Sequence, residues 1–325
     1  MARIEQNLDR LFGRSSKPAS QTLLTRLNSM RSELEVERLL MGRLLANQVR
    51  AHGIYENIHE AEFQVFSQFG DDGILQYLIE QTQPPVEKFI EFGVQNYNES
   101  NTRFLLLNNN WSGLIIDGNP TNIEMIKRQP YYWRHDLQAV AQFVDRDNIN
   151  PLFEAAGFTG EIGLLSIDID GNDYWVWEAI HAVNPVIVTV EYNSVFGPEY
   201  AITIPYKPMF NRTQAHYSNL FWGTSLKALC LLAEKKGYAF AGCNLAGNNA
   251  HFVRKDKLGK IPVKTASQGY VESKFRESRD KDGALTYLRS QQRLEAIQDM
   301  QVFDIENNQK VFIKDLFRLN RPHPL

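Results

Sequence analysis

Short apolar runs alternate with segments of helical periodicity between residues 86 and 256. The strand-like runs are KFIEFGV, GLIIDG, GLLSIDID and PVIVTVEYN, and each of the first three is followed by residues with apolar positions at helical spacing. Because consecutive parallel strands need a crossover, usually a helix, this alternation predicts an α/β domain with a mainly parallel sheet. Two short strands after Gly237 are predicted to form an antiparallel edge of the same sheet.

A separate helical pattern spans residues 20 to about 50. Its apolar positions are Leu23, Leu27, Met30, Leu34, Met41, Leu44 and Leu45. Charged residues occupy the other faces, so this stripe must be covered by something. Two interpretations remain open: the helix lies on the main domain, or it forms a short coiled coil that joins subunits into a homo-oligomer.

Three segments follow from these patterns. Residues 1–62 form an N-terminal helical segment, 63–262 the main domain, and 263–325 a charged and mostly helical C-terminal extension with one strand at KVFIKDLF. Within the main domain, residues 194–223 are irregular and rich in aromatic residues. They follow a strand end, where a lid or substrate loop belongs.

Composition narrows the function classes. A hydrophobic fraction of 43% is ample for a core, and a net charge of −3 gives no broad basic surface for nucleic acid. The two cysteines, Cys230 and Cys243, belong to no zinc motif, which fits a reducing cytoplasm. We find neither a signal-peptide core nor a membrane-spanning run, so we expect a cytoplasmic protein without membrane insertion.

Acidic residues stand at the ends of three predicted strands. These are Glu91, before Gly93, then Asp117, and then Asp168 with Asp170. A glycine after the first strand allows close backbone approach, and an acid ending the second can accept both hydroxyls of a ribose. Only one glycine of the phosphate loop GxGxxG is present, which favours an adenosine-bearing cofactor without a pyrophosphate. The alternative is that Glu91 and Asp117 cap helices.

The stretch LLSIDIDGNDYW places three aspartates, Asp168, Asp170 and Asp173, around one glycine. Like charges this close are unfavourable unless something binds there, since buried charges need partners. The alternative interpretation is a turn rich in aspartate that caps the next helix.

These residues resemble the class I S-adenosylmethionine-dependent methyltransferases, in particular the FkbM-like branch. The resemblance covers roughly residues 66 to 256 and is carried by SQFGDDGIL, FIEFGVQNYNESNTRFLL, WSGLIIDGNP, LLSIDIDGNDYWVW and GTSLKALCLLAEKKGYAFAGCNLAGNNAHFV. It implies a Rossmann-like, mainly parallel seven-stranded sheet with an antiparallel edge strand and helices on both faces.

The resemblance also implies roles for individual residues. Glu91 and Gly93 line the methionine moiety, Ser100 and Asn101 close the loop, and Asp117 holds the ribose. The chain departs from the family by lacking the second and third loop glycines, which affects the shape of the loop that binds the cofactor.

Magnesium is a further implication, because related O-methyltransferases hold this ion after the fourth and fifth strands. The equivalent positions here are Asp168, Asp170, Glu191 and Asn193. Such an ion would orient an acceptor hydroxyl and lower its pKa, with Asp168 at the catalytic centre. His216, in the aromatic loop, is the best placed base, although a lone loop histidine is more often a surface residue.

The leading hypothesis is an S-adenosylmethionine-dependent O-methyltransferase acting on a hydroxyl of a sugar, glycan precursor or related small metabolite. The sugar preference comes from the resemblance alone. The alternative is a noncatalytic scaffold or assembly protein built on the same sheet. A nucleic-acid or protein methyltransferase ranks last, because no NPPY-like tetrapeptide follows the fourth strand.

Overall fold

A computed structural model describes residues 17–317, with side chains from residue 21 onward; the outer parts of both predicted terminal segments, 1–16 and 318–325, lie outside the described residues. The main sheet has seven strands in the order β3-β2-β1-β4-β5-β8-β7. Their bounds are β1 Lys88–Phe92, β2 Ser112–Asp117, β3 Leu137–Ala141, β4 Gly160–Ile167, β5 Val183–Glu191, β7 Tyr238–Cys243 and β8 Asn249–Arg254. The predicted α/β sheet is confirmed.

Strands β1 to β5 are parallel, and β8 runs antiparallel to both of its neighbours. The two strands after Gly237 form the predicted antiparallel edge of the sheet: β7 is the edge strand and pairs antiparallel with β8, which lies between β5 and β7. All six residues of β8 are buried, which is what an interior strand requires. Strand β3 was not predicted, because Leu137–Ala141 is short and has two exposed positions.

The helices lie between and around these strands. Their bounds are α1 Lys17–His52, α2 Asp71–Thr82, α3 Pro120–Lys127, α4 Pro130–Arg134, α5 Ile149–Ala155, α6 Asp173–Ala179, α7 Arg212–Ala215, α8 Leu226–Lys236, α9 Ala266–Gly269, α10 Ser290–Ala296 and α11 Ile313–Leu316. The crossover after β1 is shorter than the predicted helix and consists of a π-helical turn, Leu105–Asn109. Asn110, in the left-handed conformation, ends that turn.

The central strands contribute side chains to two hydrophobic cores. Phe89 and Leu164 point to one face of the sheet, and their neighbours Ile90 and Leu165 point to the other. Both faces are therefore covered, which explains why the strand sequences are almost continuously apolar. From β1 the chain adds β2 and β3 on one side of the sheet and then returns to add β4 and β5 on the other side of β1. The topological switch point of the sheet therefore lies between β1 and β4.

Helix α1 presents two different faces. Ala46 and Val49 are buried against the main domain, and Glu35 forms a 2.9 Å ion pair with Arg103. The predicted stripe instead lies mostly outward: Leu27 is 47% exposed and Leu34 62% exposed. The helix thus lies on the domain through one face and leaves an apolar face uncovered within the described residues.

The C-terminal extension is less helical than predicted. It contains three short helices and a β-hairpin formed by β9, Gln301–Asp304, and β10, Gln309–Phe312. The alternation of Val302 and Asp304 with Gln301 and Phe303 gives a strand period rather than a helical one, and β9 pairs with β6, Ile202–Thr203, in a second sheet of three strands.

That pairing also changes the interpretation of residues 194–223. They were predicted to form a lid, but Phe196, Ile202 and Trp222 are buried in a third core together with Leu294 and Val302 from the extension. Much of this segment is therefore fixed structure, and only part of it borders the site. No helix within residues 17–317 is long and apolar enough to cross a bilayer.

Candidate functional site

A cleft lies at the carboxyl ends of β1, β2 and β4, at the switch point of the sheet. It comprises two adjoining cavities of about 570 Å³ and about 310 Å³. Both are lined by Gln68, Gly93, Gln95, Asp168 and Asn248. We refer to the two cavities together as the cleft.

Glu91 organises the loop after β1. Its Oε2 accepts hydrogen bonds from the Ser100 and Thr102 hydroxyls, each at 2.6 Å, and its Oε1 accepts one from the Asn101 amide at 2.9 Å. Burial raises the pKa of Glu91, and these hydrogen bonds lower it. Glu91, Ser100 and Asn101 all line the smaller cavity, and the Oε1 atom with its single donor has capacity left for a ligand.

Gly93 is required by contact between two strand ends. Its φ is +83°, and a Cβ at this position would stand 1.5 Å from the carbonyl oxygen of Asp168. The two loops that border the cleft therefore touch through their backbones, which only glycine permits.

The loop after Gly93 forms without further glycines. Gln95 and Tyr97 adopt positive φ angles of 48° and 61°, and Gln95 stands where the GxGxxG pattern has its second glycine. The Tyr97 ring is fully buried and its hydroxyl lies 2.9 Å from Thr102 Oγ1, which stabilises this conformation. The missing glycines thus do not prevent a compact loop.

Asp117 ends β2 at the larger cavity. Its Oδ2 accepts a hydrogen bond from the Gln95 amide at 2.7 Å, and its Oδ1 accepts two, from the Asn119 amide and the Asn122 side chain. Oδ2 has one donor and can accept a second. Gly118, Gln142, Phe143 and Val144 continue the wall beside it.

The three aspartates after β4 have different surroundings. Asp173 is fully buried and accepts hydrogen bonds from the Ile169 and Gly171 amides, both at 2.9 Å, so it holds the turn that precedes α6 and does not cap that helix. Burial raises the pKa of Asp173 to about 6. Asp170, at a φ of 53°, is exposed and pairs with Arg212 at 2.9 Å.

Asp168 faces the cleft and forms a pair with Glu191. Both residues line the larger cavity, and their carboxyl groups are close enough to influence each other's protonation. Burial, followed by the charges of neighbouring carboxylates, raises the pKa of both groups well above the ordinary range. Two carboxylates in such contact hold one proton between them, because both cannot ionise easily. Glu191 Oε2 is buried and has no hydrogen-bond partner among the described residues.

The predicted magnesium ligands do not fit a metal site. Asn193 uses both side-chain atoms internally, donating to the Leu220 and Trp222 carbonyls at 2.9 Å and accepting from the Val195 amide at 3.0 Å. Asp170 is committed to Arg212. Asp168, Asp170 and Glu191 line the larger cavity and Asn193 does not, and residues 17–317 contain no group of three or more His, Cys, Asp or Glu side chains placed to hold a metal.

His216 does not border the cleft. Its Nδ1 lies 2.8 Å from the Ser218 hydroxyl and its ring lies 4.3 Å from the Tyr217 ring at an angle of 34°, so the structure does not bring the predicted catalytic base to the cleft. Burial lowers its pKa. His251 is a core residue, with Nε2 3.1 Å from Asp71 and Nδ1 3.0 Å from the Thr189 hydroxyl.

Two contributors to the cleft were missed by the sequence analysis. Asp72, in the GDDG turn, accepts hydrogen bonds from three consecutive amides, Val65 to Ser67, and so shapes the loop that brings Gln68 to the cleft. The rings of Phe69 and Phe275 stack at 5.7 Å on its border. The GDDG turn was the available signal for Asp72, whereas Phe275 lies more than 200 positions further along the chain and no local pattern marks it.

Comparisons with known proteins give structural neighbours only. No family model matches the chain, and no curated protein matches it. Membership of the FkbM-like branch therefore stays a prediction.

Solved structures with similar folds include PKMT2 from Rickettsia typhi in complex with AdoHcy, at 11% identity and TM-score 0.39, over 62% of this chain and 56% of that one. The N-terminal domain of EvdMO1 with SAH bound aligns at 11% identity and TM-score 0.38, over 69% and 94%. The O-methyltransferase TomG from Streptomyces achromogenes, in complex with SAM, aligns at 14% identity and TM-score 0.30, over 45% and 71%. The chain spans little more than half the length of the Rickettsia protein it matches.

Proposed function

We propose that this chain is an S-adenosylmethionine-dependent O-methyltransferase that acts on a hydroxyl of a small polar acceptor, such as a sugar or glycan precursor. The observation that carries the proposal is the placement of Asp117 and the Asp168–Glu191 pair along one cleft at the switch point of a methyltransferase-like sheet. Ligands of open α/β sheets bind at this place.

The residues present fit the cofactor. Asp117 Oδ2 can accept a ribose hydroxyl, and Phe143 and Val144 offer apolar surface to the adenine. Glu91 Oε1 is available to the amino group of the methionine part, in a loop closed by Ser100 and Asn101. When bound, S-adenosylmethionine supplies a methyl group on a positively charged sulfur, which an oxygen nucleophile attacks.

The Asp168–Glu191 pair supplies the base. With one shared proton it carries one negative charge and can take up a second proton. Glu191 Oε2, which lacks a partner, accepts the proton of the acceptor hydroxyl as the oxygen becomes methylated. No step is assigned to magnesium, because the described residues contain no group of three or more His, Cys, Asp or Glu side chains placed to hold a metal.

Unpartnered polar atoms support a polar acceptor. Asn172 Oδ1 and Asn249 Oδ1, like Glu191 Oε2, are buried without hydrogen-bond partners among the described residues, and all three residues border the cleft. Buried acceptors left unpaired are unfavourable, so donors from a ligand would stabilise them. A molecule with several hydroxyl groups meets this requirement.

The test is calorimetric titration with S-adenosylmethionine and S-adenosylhomocysteine. We expect saturable binding by the unmodified chain and a loss of at least about tenfold in Asp117→Asn, since a charge-assisted hydrogen bond contributes about 1.5–3 kcal/mol. Asp136→Asn is the matched control, because Asp136 is an exposed acid outside the cleft.

Two results would contradict the proposal. Absence of binding by the folded protein would favour the scaffold hypothesis. Equal losses of affinity in Asp117→Asn and Asp136→Asn would show that Asp117 has no specific role in binding the cofactor. For catalysis, Glu191→Gln should bind the cofactor as the unmodified chain does while losing methyl transfer to a panel of sugars, whereas Glu154→Gln, at an exposed site, retains it.

We also propose that a second copy of the chain covers the outward face of α1. Leu23, Leu27, Met30, Leu34, Met41 and Leu44 follow the three-and-four spacing of a coiled coil and are 41–66% exposed. A self-complementary face of this kind is the usual basis of a symmetric dimer.

A further inference from the structure

A second cavity, of about 360 Å³, lies in the C-terminal extension and shares no lining residue with the cleft. Its charged lining consists of Lys274, Arg276, Arg289, Arg293 and Glu272. Four cationic side chains thus meet one carboxylate in a chain whose net charge is −3. The positive charge at this cavity is a local feature and does not reflect the chain as a whole.

Arg293 is the central observation. Its side chain belongs to a residue that is only 7% exposed, and its Nε has no hydrogen-bond partner among residues 17–317. A buried guanidinium is unfavourable unless it is paired, and this one borders an open cavity. Burial lowers the pKa of Arg293, and the nearby charge of Glu272 offsets this only in part.

The other cations are equally uncommitted. Within the described part of the chain, no ion pair involves Lys274, Arg276 or Arg289. Glu272, the one carboxylate present, accepts a hydrogen bond from the Ser290 hydroxyl at 3.2 Å. The cavity therefore holds more cationic side chains than its single carboxylate, Glu272, can match.

The segment from 272 to 277 separates this cavity from the cleft. Lys274 and Arg276 line the basic cavity, whereas Phe275 and Glu277 line the cleft. Successive side chains thus alternate between the two spaces from 274 to 277, whereas Ser273 lines the basic cavity together with Glu272.

We propose that the basic cavity binds a phosphate-bearing ligand, either free phosphate or pyrophosphate or the phosphate group of a larger molecule. Planar guanidinium groups match the oxygens of a phosphate in pairs, and three of the four cations are arginines. The volume falls in the range of small-molecule sites. This proposal is independent of methyl transfer.

The test is calorimetric titration of the full chain at low salt with inorganic phosphate, pyrophosphate and glucose 1-phosphate. We expect saturable binding that weakens at least tenfold in Arg293→Gln and in Arg276→Gln. Because Arg276 is exposed, its variant keeps the test valid if Arg293→Gln folds poorly. Arg128→Gln, at an exposed position on the main domain, is the matched control and should bind as the unmodified chain does.

The three ligands distinguish the sources of the phosphate. Tighter binding of glucose 1-phosphate would assign the site to a phosphorylated organic molecule, and equal or tighter binding of the inorganic ions would assign it to free phosphate. No saturable binding of any of the three, or equal weakening in Arg128→Gln, would overturn the proposal.

Discussion

Gly93 occupies the point where the two loops of the cleft meet. Its missing side chain makes room for the Asp168 carbonyl, and the next loop residues adopt left-handed conformations that glycines adopt more easily. The single glycine of the sequence motif thus has a structural cause in strand packing. The sequence identified this residue, but the reason became visible only with the partner strand.

Replacing Gly93 by alanine tests that cause. The new Cβ would overlap the Asp168 carbonyl oxygen, so we expect a loss of more than about 3 kcal/mol in the free energy of unfolding. Gly157→Ala is the control: its φ is +73° but nothing lies within 4 Å, so only the conformational penalty of about 1–2 kcal/mol applies. Chemical denaturation measures both, and similar losses would argue against the contact.

Glu191 predicts a pH dependence of stability. Its pKa is raised in the folded chain by burial and by Asp168, so the folded state binds protons more tightly than the unfolded state. The stability contributed by protonation of Glu191 is fully present below about pH 4.3, the ordinary pKa of glutamate. It is lost as the pH rises through the pKa that Glu191 has in the folded chain.

Glu191→Gln should therefore unfold less readily than the unmodified chain at pH 8, by about 1–2 kcal/mol, and the difference should vanish at low pH. Denaturation at pH 4 to 9 gives the comparison. Glu154→Gln, an exposed substitution, should follow the unmodified chain throughout. A Glu191→Gln variant that is less stable at pH 8 would contradict the pairing of two buried carboxyls.

At the scale of elements, sequence predicted what depends on local pattern. Strands β1, β2, β4 and β5 were identified because both faces are buried and their sequences are continuously apolar. Strand β3 was missed because its exposed positions weaken that signal, and the order of the strands in the sheet was not predicted, because it depends on pairing between distant segments. The same limit applies to Asn193, whose amide is committed to carbonyls some 28 residues away.

Helix α1 supplies the prediction at this scale. Leu27→Ser combined with Leu34→Ser should convert a dimer to a monomer in light scattering, because both side chains lie on the uncovered face. Val36→Ser is the control, since Val36 is 55% exposed but lies off the stripe. A monomer before substitution would exclude the second copy as the partner of this face.

At the scale of the whole molecule, the extension and the main domain share a core. Leu294, Ile297, Val302 and Ile313 pack in one cluster with Phe196 and Ile202. Strand β9 also pairs with β6, so backbone and side chains both join the two segments. The boundary at residue 263 was placed where composition changes, which does not report such contacts.

Because the C-terminal extension and the main domain share a core, we expect them to unfold together. Val302 is fully buried in the third core, and truncating it to alanine removes two methyl groups and leaves a cavity, so we expect a loss of about 2 kcal/mol. Val311→Ala, on the partner strand, is only partly buried and should cost less. If the extension unfolds together with the sheet, Val302→Ala will shift one transition measured both by circular dichroism and by the fluorescence of the five tryptophans. Two separate transitions, with only one of them moved by the substitution, would instead make the extension an independent folding unit.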